Sequence, residues 1–273
     1  MTERFVPALP REAQRRITLV QRRFVPDPVR LARYARAPEL GPTLLFFSGG
    51  SALRRSSRVL TEYTHNSVHL ITPFDSGGSS AKLRETFPII SVGDLRNRLM
   101  ALADTELKGH PEVYRLFDTR LAKDVAQAEL VEQLAEMVDG RDPLVAAIHQ
   151  PLRELIRNHL GYFRDAMPSH FDLRGASIGN LILAGGYLNN RHDIDAVIFL
   201  FSKLVAVRGL VRPIVDANLH LAAELADGSV LVGQHRITAH RGPTAAPIRA
   251  LRLSCSSDLP ELPAQATIDE RDR

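Results

Sequence analysis

A chain of 273 residues with 44% hydrophobic and 24% charged residues is long enough for one large domain or two small ones, and its composition is that of a globular protein rather than a disordered or fibrous one. Aromatic residues make up only 6% and Trp is absent, which argues against a surface built on base stacking. The net charge of +4 is concentrated at the start: residues 1–40 hold nine Arg against four acidic side chains, leaving the remainder close to neutral.

That basic start reads as a solvated arm, because no aromatic or Gly-rich RNA-binding pattern accompanies it; nucleic acid is not expected as a partner. The one cysteine, Cys255, cannot form an intrachain disulfide and fits a reducing compartment. No apolar segment follows Met1 as a signal peptide would require, and every apolar run is far below the ~18 residues that span a bilayer. A cytoplasmic protein with no membrane contact is the expectation.

In chain order, Asp27-Pro28 predicts a capped helix over 29–37, with Leu31 and Tyr34 on one face. Residues 43–47 read as a strand running into Ser48-Gly49-Gly50-Ser51 and a helix over 52–60, the beginning of a βαβ unit. A second strand, 67–71, feeds the loop Asp75-Ser76-Gly77-Gly78-Ser79-Ser80 and a short amphipathic segment. Two strands that each end in a glycine loop predict a parallel sheet whose carboxyl ends line a ligand crevice. Leu95, Leu99, Leu102 and Ala103 recur at helical spacing over 93–104. Residues 112 to about 167 are helical in character almost throughout: one stretch carries Leu130, Leu134 and Met137 and ends at Asp139-Gly140, and a second carries Ile148, Ile156 and Leu160 and ends near Gly161. The second half predicts helices over 181–188 and 194–204 and a strand over 210–215, where Pro213 implies an edge or a bulge. Strands over 219–225 and 230–234 flank Asp227-Gly228, the strongest hairpin signal in the chain. A strand over 248–253 and a polar tail follow.

Several familiar motifs are missing. Gly49-Gly50 does not complete G-x-G-x-x-G, and no P-loop, H-E-x-x-H, Cys/His metal spacing or G-x-S-x-G elbow occurs. His235 and His240 read as surface residues rather than ligands. The loops remain. Glycine leaves backbone N–H groups uncovered for a phosphate, Ser76, Ser79 and Ser80 add donors, and Asp75 is placed to hold a divalent cation beside the phosphates.

Taken together, residues 47–52 (FSGGSA), 75–85 (DSGGSSAKLRE), 92–104 (VGDLRNRLMALAD), 175–183 (GASIGNLIL) and 223–229 (AELADGS) with Gly233-Gln234 resemble the 2-phospho-L-lactate transferase (CofD-like) superfamily over residues 43–237. The resemblance implies a Rossmann-like α/β fold: a mostly parallel sheet, a helical insertion at about 105–170 and a β-hairpin in the second half. It divides the chain into a basic arm (1–40), a nucleotide-binding domain (41–253) and a polar tail (254–273). One branch of the superfamily transfers phospholactate from a nucleoside diphosphate carrier with Mg2+ and releases the nucleoside monophosphate. The other, the gluconeogenesis factor group, binds UDP-sugars without an established reaction, and the loops here are more similar to that second branch.

Carried over by position, Gly49, Gly50 and Ser51 contact the nucleotide, and Gly77, Gly78, Ser79 and Ser80 cradle phosphate. Asp75 and Asp94 are the catalytic candidates, with Asp75 also the metal ligand. Asn97 lies by the phosphates or base, and Gly179 with Asn180 closes the site. Arg96 is either a bidentate diphosphate partner or half of a surface ion pair. Three departures accompany the match. Ser76 stands where the family usually has a second Asp, which weakens metal binding by paired carboxylates. The first loop lacks the family's glycine- and threonine-rich form. The sequence also stops before a further strand and phosphate loop of the family, which implies an open sheet edge and a homodimer.

Overall fold

The computed structural model describes residues 25–49, 51, 53–104, 110–240 and 246–255. The arm before residue 25, Gly50 and the tail after residue 255 lie outside the described residues. Asp27 caps α1 (Pro28–Arg36) by accepting from the backbone N–H groups of Val29 and Arg30, as its place before Pro28 implies. The chain then runs through β1 (Leu44–Ser48), α2 (Arg54–Leu60), β2 (Ser67–Ile71), α3 (Gly78–Thr86) and α4 (Gly93–Leu102). Helices α5 (Pro111–Asp118), α6 (Gln127–Asp139), α7 (Pro143–Ala146), α8 (Leu152–Ala166), α9 (Ile178–Asn189) and α10 (Ile194–Leu204) follow. The C-terminal part comprises β3 (Leu210–Pro213), β4 (His220–Leu225), β5 (Val230–Val232), α11 (Gln234–Ala239) and β6 (Ile248–Ser254).

The strands form two sheets. β1, β2 and β3 are parallel in that order, while β4 pairs antiparallel with β5 on one side and β6 on the other. The fold is the expected α/β type, with its antiparallel strands collected in a separate sheet. Helices α3 to α10 all lie in sequence between β2 and β3, which nevertheless pair directly. Pro213 occupies the end of an edge strand, where its missing N–H costs no ladder bond. β1 is the opposite edge of this sheet, and its Leu45 and Phe47 side chains are exposed.

Ser67, His69 and Ile71 alternate as the buried face of β2, and α4 packs beneath β2 and β3. The centre of the helical layer is α9, whose residues Ile178 to Tyr187 are all buried. It meets α8 backbone to backbone: a Cβ built on Gly185 would stand 1.9 Å from the His159 carbonyl oxygen, so only glycine permits this crossing.

Three of the boundaries that differ from the sequence reading have a clear physical cause. α8 continues past Gly161 to Ala166 because Phe163 extends the buried stripe of Ile156 and Leu160. α9 begins at Ile178 rather than 181, so Gly179 and Asn180 lie inside its first turn. β5 stops at Val232, since Gly233 adopts φ +101° and turns the chain into α11, a helix the sequence reading did not assign.

Burial holds two histidines uncharged: His69 and His159 are 0% and 2% exposed, and desolvation pushes each down to about 4. In the unfolded chain they titrate near ~6.5. Their contribution is therefore fully present above that pH and is lost as pH falls toward 4. At ~1.4 kcal/mol per pKa unit this amounts to about 3–4 kcal/mol each. Urea unfolding between pH 7 and pH 4 is expected to show this decline, and a shallower one for His159→Phe.

Candidate functional site

The parallel strands end where three helices begin. Gly78, Gly93 and Ile178 are the first residues of α3, α4 and α9, and none of these N-termini carries a side-chain cap. Ser177, well placed to cap α9, spends its hydroxyl on Arg96 instead. First-turn N–H groups and the positive ends of three helix dipoles are thus left facing one junction.

Gly93 marks its centre. A Cβ built there would stand 2.3 Å from Ser80 Oγ, 3.4 Å from Asp75 Oδ2 and 3.6 Å from Asn180 Nδ2, so residues from three separate segments close around a single glycine. Ser79 Oγ accepts from the Ser177 backbone N–H at 3.3 Å, linking the loop before α3 to the start of α9. Asp75 folds back on its own loop, accepting from the Gly77 N–H at 3.1 Å. This is the Asx-type turn that suits an Asp two residues before a glycine. Asp94 is buried in the first turn of α4, and a Cβ on Gly49 would lie 3.4 Å from its Oδ2.

Two buried arginines of α4 hold the parts together. Arg98 is fully buried and donates to Ser48 Oγ and Gly49 O, both at 3.0 Å, and to Ser57 Oγ, fastening the end of β1 and α2 to α4. Arg96 donates to Phe117 O at 3.2 Å, to Ser177 Oγ and to Asn97 Oδ1 at 2.7 Å. It is only 6% exposed and has no ion pair among the described residues, so the surface-pair reading of Arg96 is corrected. Burial lowers it to about 10, still a cation at neutral pH. Arg96 Nε and Asn180 Oδ1 are buried polar atoms without partners among the described residues.

The structure therefore gathers Gly49, Asp75, Ser79, Ser80, Asp94, Arg96, Gly179 and Asn180 around one junction, with Gly77 and Gly78 on its rim and Asn97 held by Arg96. Ser51 is exposed beyond the first loop, and Gly50 lies outside the described residues. Gly179 is required for a second reason, since a Cβ there would meet Phe117 O at 2.7 Å and Arg96 Cδ at 2.8 Å.

What the residue patterns missed is α11. Gln234 Nε2 comes within 4.0 Å of a Cβ on Gly49, and His235 Nδ1 hydrogen-bonds Ser76 Oγ at 2.8 Å while the His235 N–H donates to the same oxygen at 3.2 Å. His235 is exposed as expected of a surface residue, yet it ties the Asp75 loop to the antiparallel sheet. The only signal in the sequence was Gly233-Gln234 beside it.

The layout is that of a Rossmann-like α/β protein whose glycine loops sit at the carboxyl ends of parallel strands. Residues 44–273 match the family described as 2-phospho-L-lactate transferase CofD, and the chain belongs to that family. It is 31% identical over 196 residues to the gluconeogenesis factor of Bacillus subtilis, covering 72% of this chain and 46% of that protein. The Listeria monocytogenes gluconeogenesis factor is 29% identical over 199 residues, 73% of this chain and 46% of its own. A crystal structure of a UPF0052-family protein from Bacillus halodurans matches with a TM-score of 0.53 at 25% identity, over 78% of this chain and 50% of that one. The chain spans about half the length of the relatives it matches.

Crowding at Gly93 is directly testable. Gly93→Ala is expected to destabilise the protein by about 1–3 kcal/mol, the usual cost of overpacking. Adding Ser80→Ala, which removes the colliding oxygen, is expected to restore most of the loss in urea unfolding.

Proposed function

We propose that the protein binds a nucleoside-diphosphate-linked metabolite at the junction of α3, α4 and α9. The observation that carries this reading is the convergence of three helix N-termini without side-chain caps around Gly93, a concentration of backbone donors and dipoles suited to an anion. Arg96 adds a buried positive charge, and the Asp75–Ser80 loop supplies hydroxyl and N–H donors.

Two carboxylates at an anion site repel the ligand unless a cation intervenes. The donors at the junction, Asp75, Asp94 and Asn180 Oδ1, are all oxygens, the set that suits a hard cation such as Mg2+. The described residues contain no cluster of three or more His, Cys, Asp or Glu that would hold a metal alone. Ligand phosphates and water would therefore complete the shell, as is usual for Mg2+. Bound there, such an ion would neutralise charge on the phosphate oxygens. Asp75 is the principal ligand, because Ser76 offers a hydroxyl where a second carboxylate would strengthen the site. The reading gains support from the family match, whose description is that of a 2-phospho-L-lactate transferase, an enzyme that handles a phosphorylated metabolite.

Binding without turnover is the better match to the residues, and transfer is the second reading, favoured by the two carboxylates at the phosphate position. Calorimetric titration with UDP-sugars and guanine nucleotides, with and without Mg2+, tests the first. Asp75→Asn is expected to weaken binding tenfold or more and to abolish the Mg2+ effect, since a charge-assisted contact is worth ~1.5–3 kcal/mol. Failure of every nucleotide to bind would refute the proposal. Release of nucleoside monophosphate from a carrier, assayed with an acceptor, decides the second reading.

A further inference from the structure

On the far side of the Asp75 loop lies a cleft of about 520 Å³ between α3 and the β4–β5–α11 unit. Its polar lining comprises Ser76, Arg84, His220, His235 and Arg236, against one acidic side chain, Glu85. The arrangement is held in place. Arg84 Nε and Nη2 donate to Asn218 Oδ1 at 3.1 and 2.9 Å, Nη2 also reaches Leu219 O, and Nη1 donates to the Asp75 carbonyl at 3.3 Å. Every one of these acceptors is neutral. A half-buried guanidinium is thus fixed by oxygen dipoles and keeps its full charge, with no carboxylate within ion-pair distance among the described residues. The side chain of His220 sits beside it, Nδ1 3.5 Å from Arg84 Nη2. Arg236 is exposed at the rim, and His235 is anchored through Ser76.

A solvated structural arginine has no need of such a setting. Burial penalises a cation that lacks a counter-charge, and Arg84 is correspondingly pushed down by desolvation, with only the more distant Asp75 offsetting it. Those four bonds leave Arg84 one Nη1–H uncommitted, and Arg236, His220 and His235 add N–H donors at the cleft.

We propose that this cleft is a second anion site, separate from the nucleotide junction, that takes an oxyanion group, a phosphate or a carboxylate, between Arg84 and Arg236. The oxyanion comes either free from solution or attached to the far end of a nucleotide-linked metabolite, since Ser76 borders both the cleft and the Asp75 loop. The proposal does not depend on nucleotide binding.

Equilibrium dialysis with inorganic phosphate at constant ionic strength tests it on the full chain. Phosphate is expected to bind above a chloride control. Arg236→Gln is expected to weaken it about tenfold or more, the scale of a lost charge-assisted hydrogen bond. Glu85→Gln is expected to strengthen it by removing the one opposing charge. Both residues are exposed, so neither variant endangers the fold. Absence of phosphate binding, or binding that neither variant changes, overturns the proposal. If a nucleoside diphosphate bearing a linked carboxylate displaces phosphate and the unlinked diphosphate does not, the oxyanion is the linked one. If phosphate and the linked compound bind together, it is a free one; either result upholds the site. Should no nucleotide bind at all, Arg236-dependent phosphate binding still upholds it, while unchanged nucleotide affinity in Arg236→Gln marks the two sites as distinct.

Discussion

There is no room for a side-chain carbon at Gly93, and most of the site follows from that. The absence of one atom lets Ser80 of α3, Asp75 of the preceding loop and Asn180 of α9 close on the start of α4. A larger residue would part the three helix N-termini and scatter the backbone donors gathered at the junction. Arg96 and Arg98, both on α4, then fasten the outlying pieces, one to α9 and the end of α5, the other to the end of β1 and to α2. Charged groups are costly to bury, and these two are retained by several hydrogen bonds each to carbonyl and hydroxyl oxygens.

The same economy of small residues governs the packing around α9. Gly185 and Gly186 allow α8 to approach until the His159 carbonyl and ring touch the helix, and Gly179 admits the Arg96 side chain. A helix buried on all sides has no polar face on which its neighbours can err, so α9 fixes the relation between the insertion helices and the parallel sheet. Several residues of the candidate site are thus buried parts of the core as well.

Antiparallel strands β4 to β6 form a separate sheet, but α11 brings them back to the site. Gln234 approaches the first loop and His235 grips Ser76 of the second. Ser76 Oγ accepts from the His235 N–H, a contact that joins the Asp75 loop to the basic cleft beyond it.

Much of this was legible in the residues. The two glycine loops after short apolar strands predicted a parallel sheet with its site at the carboxyl ends, Asp27-Pro28 marked a capped helix, and Asp227-Gly228 marked a hairpin, because these signals are local and act through backbone conformation. The family motifs were likewise contiguous, so Asp75, Asp94 and Asn180 could be named together from the sequence, and the structure brings them to one junction. What the sequence could not express is which polar groups would be buried and what they would touch. Arg98 draws no attention in the sequence and is enclosed, Arg96 is open there between a ligand contact and a surface pair and is a buried anchor, and His235 reads as a surface residue yet bridges two sheets. Those outcomes depend on contacts across 41 residues for Arg98 and Ser57 and across 159 for Ser76 and His235. Only the tertiary structure decides them, since burial and partnership are properties of the whole packing and not of any short stretch of chain.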